Sequence, residues 1–246
     1  MNTRNTPMTG PRYWAALFVA SIFGANMGDF VSHVLHLGHA NGLAPLASIC
    51  GLILLAERRL RTPTEAYYWL AVVTLRTAAT NLGDLLTQDF HIAYPMAMLG
   101  LAAALGLLQL TERRTTPRHA AEVATGIPET NPYYWATMLV AGTLGTAAGD
   151  YVADVLGLGV GLGSVALCAL LAVALSARGL LDLIGRPYYW GTVVVVRAAG
   201  TTVGDWFAGR HGLAVGLPAS TAVGAVVLIV LLLAWRTPDR VGAAAA

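Results

Sequence analysis

Residues 13–29 read YWAALFVASIFGANMGD, and the same frame returns at 68–84 (YWLAVVTLRTAATNLGD), 134–150 (YWATMLVAGTLGTAAGD) and 189–205 (YWGTVVVVRAAGTTVGD). Each copy sets an aspartate fifteen residues after a tryptophan. Trp14, Trp69, Trp135 and Trp190 are 55, 66 and 55 residues apart, so a pair of units has itself been duplicated. Periodicity on this scale has to be recognised before any element is assigned.

The chain around these segments is 56% hydrophobic and only 11% charged over 246 residues, with a mean hydropathy of +0.62. A soluble domain carries about 25% charged residues. This chain cannot cover a surface that faces water on all sides, and it reads as an integral membrane protein. Unbroken runs such as GSVALCALLAVAL and VGAVVLIVLLLAW lack the period-2 alternation of a membrane β-barrel, so the spans are helices. The net charge of +2 is explained by arginines beside the spans, and no nucleic-acid partner is implied. Cys50 and Cys168 are isolated in apolar runs and read as packing residues. The segment after Arg4 and Arg12 contains Asn26 and Asp29 and no convincing cleavage site, so it is expected to be a retained first span.

Each unit is long enough for two spans, about 20 residues being needed to cross the bilayer core. The expected first helices are 12–37, 67–90, 133–156 and 188–210, and the second helices 42–57, 93–111, 158–177 and 213–235. Pro45, Pro95 and Pro218 are expected in the opening turns of second helices, where the missing N–H costs nothing. The first half spans 1–111, a cytoplasmic linker 112–131, the second half 132–236 and a tail 237–246. Units that cross twice all enter from one side and are parallel repeats. Arg4, Arg12, Arg58, Arg59, Arg61, Arg113, Arg114, Arg118, Arg178, Arg186 and Arg236 fall where units join, which places both termini in the cytoplasm; Arg210 is the one basic residue on the other side.

With these motifs the chain resembles a family of bacterial membrane proteins built from four tandem two-helix repeats, each bearing a characteristic Trp. The resemblance covers nearly the whole chain and implies the architecture; the family's function is largely unknown. Its first helix commonly carries a lysine, then Thr-Thr-x-Gly-(Glu/Asp) and a second acid four residues on. Here Gly precedes Asp in all four units, but the second acid is present only as Asp154, with His33, Gln88 and Gly209 at the equivalent places. The basic position is filled only by Arg76 and Arg197, against Ser21 and Gly142.

Small residues stand one and five positions before each aspartate, as in Gly24/Gly28 and Gly145/Gly149, a pattern that lets helices approach closely in lipid. Its register makes the aspartate side the protein-facing side. The first helices therefore belong inside and the nearly charge-free second helices outside. If the Tyr-Trp pairs sit at headgroup level, fifteen residues of rise carry the acids about 22 Å inward. Asp29, Asp84, Asp150 and Asp205 are then deep in the hydrocarbon, where each costs about 2.5–3.5 kcal/mol unless something compensates it.

Candidate compensating groups lie one turn earlier: Asn26, Thr80, Asn81, Thr146, Thr201 and Thr202, whose oxygens could bond an acid or serve a cation. Arg76 and Arg197, eight residues before their aspartates, are too far to bridge them and are expected to reach a neighbouring helix or to gate a cavity. Asp29 with His33, and Asp150 with Asp154, have the i,i+4 spacing that lets two side chains share one metal ion. His36, His39, His91 and His211 read as solvated turn residues.

Five interior acids against two arginines leave an anionic excess that would attract cations or protons. The reading is a transporter or exporter of a small cation, a divalent metal coupled to protons among the candidates, with the lipid bilayer and the small cation or proton as its partners. A non-transporting scaffold or sensor, its aspartates only tying helices together, is the alternative. An intramembrane aspartyl hydrolase would need Gly three residues before Asp, and Asn26, Asn81, Ala147 and Thr202 stand there. No enzyme motif is present.

Overall fold

The computed structural model describes residues 7–60, 64–115, 126–181, 185–209 and 212–234. Arg4, Arg61, Arg118, Arg210, His211 and Arg236, and the side chain of Arg178, lie outside the described residues. Eight α-helices are described: α1 Pro11–Asp29, α2 Gly38–Leu60, α3 Ala66–Asp84, α4 Tyr94–Thr115, α5 Pro132–Asp150, α6 Gly159–Leu181, α7 Arg186–Ala208 and α8 Leu217–Ala234. The protein is an all-α polytopic membrane protein of four two-helix units.

The first helices form a closed ring, α1 on α3, α3 on α5, α5 on α7 and α7 back on α1. Each second helix packs on the first helix of the next unit: α2 on α3, α4 on α5, α6 on α7 and α8 on α1. The units are thus interlocked, and the last helix closes the ring against the first. The small residues make the seams. A Cβ on Gly24 would lie 2.4 Å from Cβ of Arg76, one on Gly145 2.5 Å from Cβ of Arg197, and one on Gly200 2.4 Å from Cβ of Ser21. The fourth seam brings Ala79 against Gly142 in the same way. Only a missing Cβ permits such approach, and dispersion between close backbones is what holds helices together in lipid.

The outer helices present Leu52, Leu55, Leu99, Leu107, Leu162, Val165, Val173, Val226 and Ile229 outward, fully in keeping with a lipid-facing shell. Five helices are long and apolar enough to span a bilayer: α1 with the turn that follows it, α2, α4, α6 and α8. The other three, α3, α5 and α7, belong to the inner ring and carry the polar groups that face its axis.

Helix starts follow their sequences. Proline occupies the first turns of α1, α5 and α7, and the Asn131 side chain caps α5 by accepting from the Tyr134 N–H at 2.9 Å. In three units the helix widens into a π-turn immediately after its aspartate, at Phe30–Val34, Leu85–Asp89 and Tyr151–Val155. His36, His91 and Gly157 then take left-handed backbone conformations that end the element. Pro95 and Pro218 open α4 and α8 as expected, but Pro45 lies inside α2, which begins at Gly38 rather than near residue 42. The linker expected from residue 112 begins later, because α4 continues to Thr115 and buries Glu112 completely; its carboxylate lies 3.6 Å from the buried Arg186.

Candidate ion site on the bundle axis

Three layers of polar groups fill the ring. At the end where the units join, Tyr13, Tyr68, Tyr134 and Tyr189 point at one another. Their hydroxyls form a closed square, Tyr13–Tyr68 at 2.9 Å, Tyr68–Tyr134 at 2.7 Å, Tyr134–Tyr189 at 2.8 Å and Tyr189–Tyr13 at 2.5 Å. Each ring is flanked by its own Trp edge-on and by a Trp of the adjoining unit: Tyr13 by Trp69, Tyr68 by Trp135, Tyr134 by Trp190 and Tyr189 by Trp14. The expected headgroup belt is therefore replaced by an inward plug, these eight rings being at most 6% exposed. A hydroxyl both donates and accepts, so four can satisfy one another and the aromatic pairs can turn away from the interface.

The middle layer holds Arg76 and Arg197, both fully buried. Arg197 leaves its own helix and bonds three others: its Nε donates to Thr146 Oγ1 at 3.0 Å, one Nη to the Ser21 carbonyl at 2.7 Å, and the other to Thr80 Oγ1. Thr80 and Thr146, expected among the oxygens around a cation, are thereby committed to a guanidinium; a lone pair that accepts from Arg197 is not free for a guest. Asn26 and Asn81 also leave the expected site. The Asn81 amide abuts Gly42 of α2 and the Asn26 amide abuts Gly204 of α7, so both lie in helix seams, buried and without a hydrogen-bond partner. Thr201 Oγ1 is likewise buried and unbonded, and Thr202 bonds the carbonyls of its own helix.

The third layer is the four aspartates. Asp29 lies within electrostatic reach of Asp84, Asp205 and Arg197; Asp150 within reach of Asp29, Asp84, Asp205 and Asp154. The ring thus gathers the carboxylates that the sequence distributes over 176 residues, from Asp29 to Asp205. Asp84 accepts from Gln88 Nε2 at 2.8 Å, one turn on along its own chain. Among the described residues no hydrogen bond reaches the carboxylates of Asp29, Asp150 or Asp205, and these three are partly open to the exterior whereas Asp84 is buried.

Beyond the acids lies an outer cluster whose pairing the sequence reading did not give. His39 is buried, not solvated, and its Nδ1 lies 3.0 Å from Asp89 Oδ1. His33 meets His39 edge-on, with ring centroids 5.4 Å apart, and both lie within reach of Asp84 across the unit boundary. The signal was the simultaneous presence of three histidines in one turn, but their pairing depends on α2 folding back over α3. His33 and Asp154 are exposed, and among the described residues no three His, Cys, Asp or Glu side chains gather to hold a metal ion. The pairs Asp29/His33 and Asp150/Asp154 therefore acquire no third ligand.

No curated protein and no solved structure matches the chain. Residues 133–178 and 188–240 match the family described as Repeat of Unknown Function (DUF347). These matches begin at the third and fourth Tyr-Trp segments, so the second half of the chain is similar to two copies of a repeat of unknown function.

Proposed function

We propose that the protein carries a small cation or proton across the membrane, with Asp29, Asp84, Asp150 and Asp205 as the binding site. The observation that carries this reading is that four clustered carboxylates have a single hydrogen-bond donor among the described residues, Gln88. Carboxylates only accept hydrogen bonds. Their like charges lie within electrostatic reach of one another, and a positive guest relieves that repulsion. Acids that served as ties between helices would be bonded across the seams, and these are not.

Transport by a carrier rather than an open pore fits the closed tyrosine square and the two buried guanidiniums, which block the axis to a cation. Arg76 and Arg197 act as the gate in this reading, and the two duplicated halves move against each other. We place the tyrosine end at the cytoplasmic face of a bacterial inner membrane, with both termini on that side, because Arg12, Arg58, Arg59, Arg113 and Arg114 lie there. The acids then open outward. The test is flux into proteoliposomes loaded with pH-sensitive and cation-sensitive dyes, comparing wild type with Asp29→Asn, Asp84→Asn, Asp150→Asn and Asp205→Asn. Loss of flux in folded variants supports the carrier, and undiminished flux in all four rejects it.

A further inference from the structure

Arg76 and Arg197 occupy equivalent positions in units 2 and 4, yet their surroundings differ. Arg197 makes three hydrogen bonds and has Asp29, Asp150 and Asp205 within electrostatic reach. Arg76 is equally buried, and among the described residues none of its three guanidinium nitrogens has a hydrogen-bond partner. The groups within its electrostatic reach are the four tyrosines of the plug, with Arg197 as a like charge on its other side.

The repeat explains the difference. The hydroxyl that Arg197 Nε uses on the preceding helix is Thr146, and the equivalent residue for Arg76 is Ala25, which has no oxygen. The hydroxyl it uses on the opposite helix is Thr80, and the equivalent for Arg76 is Thr201, itself buried and unbonded. The tyrosines accept no hydrogen bond from Arg76, and each keeps its proton in the square, so they bring no negative charge to offset it. A buried ion without partner costs several kcal/mol. Five N–H groups in a fixed fork, without a hydrogen-bond partner among the described residues, are a donor set for an anion.

We infer that Arg76 holds one small monovalent anion of the chloride class in an occluded site above the tyrosine square. Size follows from the packing: the seams at Gly24, Gly142, Gly145 and Gly200 admit no further Cβ, and one added at Gly142, 3.6 Å from Arg76 Nη1, would already stand 2.9 Å from Ala79 Cβ. A tetrahedral oxyanion is too large for that space. This inference does not rest on cation transport by the aspartates.

The experiment is equilibrium binding of radiolabelled chloride to the purified full chain in detergent, together with thermal unfolding in chloride and in gluconate at equal ionic strength. Saturable binding of one chloride per chain is expected, displaced by bromide but not by sulfate, with a higher unfolding midpoint in chloride. Arg76→Met should abolish both effects. If that variant does not fold, Ala25→Ser decides: it restores the missing hydroxyl to Arg76 and should weaken chloride binding by roughly tenfold, about 1.4 kcal/mol. No saturable binding by wild type overturns the inference, as does a halide effect of the same size in wild type, Arg76→Met and Ala25→Ser. Loss of cation flux in the aspartate variants with chloride binding intact separates the two sites.

Discussion

The two ends of the inner ring carry the same multiplicity of one residue, four tyrosines at one and four aspartates at the other, and end in opposite states. The tyrosines close on themselves and are sealed from both lipid and water. The aspartates converge without bonding one another, and three stay partly open. The difference is one of hydrogen-bond chemistry: a phenol offers a donor and an acceptor, so a ring of four is self-sufficient, whereas an ionised carboxylate offers acceptors only. Identical repetition therefore makes a lock of one layer and a set of unpaired acceptors of the other. Between them Arg197 is tied into the ring, and Arg76 is not.

The largest test removes the seam that holds both layers. Gly145→Leu drives a side chain into Arg197 and into the Val194 carbonyl, which lies 2.7 Å from the Cβ position. A loss of about 3 kcal/mol or more is expected, seen as failure to elute as a monodisperse species in size-exclusion chromatography. Next, Asp29→Asn and Asp150→Asn should lower flux by at least about a hundredfold, roughly 2.7 kcal/mol in barrier, while the unfolding midpoint holds or rises as repulsion is relieved. Tyr68→Phe makes the opposite change at the other end. It opens the square at Tyr13 and Tyr134 and should cost about 1–3 kcal/mol in stability, so an unfolding midpoint that rises with Asp→Asn and falls with Tyr→Phe would sharpen the contrast. An unchanged midpoint in Tyr68→Phe would break it.

Thr146→Val strips Arg197 Nε of its acceptor and makes it more like Arg76. A cost of about 1–2 kcal/mol is expected, read by thermal unfolding. The smallest effect belongs to Asp89→Asn, whose partner His39 is buried but whose own side chain is 43% exposed. Solvent screens such a pair, and less than about 1 kcal/mol should be lost.

Much of the site's framework was legible in the chain. The interval from Trp to Asp, the glycines in fixed register with it and the apolar second helices placed the first helices inside and the acids together. That Arg197 does not bridge to Asp205 followed from the eight residues between them, and its reach to neighbouring helices was one of two expectations. The roles of Thr80, Thr146, Asn26 and Asn81 were not legible. Lying one turn before an acid puts a residue on roughly the same face, but whether that face meets the axis or a seam depends on the rotation of each helix against its neighbours. Thr80 turns to the axis and Asn81, the next residue, to the seam with α2. The Tyr-Trp pairs misled for a related reason. Their depth was inferred from a preference for headgroups, while the packing offered each hydroxyl a partner inside.

What the sequence determined by itself was everything carried by composition and spacing along one dimension: a helical membrane protein, four units, two crossings each, and an aspartate at the same height in every unit. Tertiary structure alone decided which groups meet across the ring. The closure of α8 on α1, the tyrosine square, the burial of His39 against Asp89 and the isolation of Arg76 all depend on contacts between residues far apart in the chain. Repeats make positions equivalent, but only packing, through a threonine present on one helix and an alanine on another, decides which equivalent charge finds a partner.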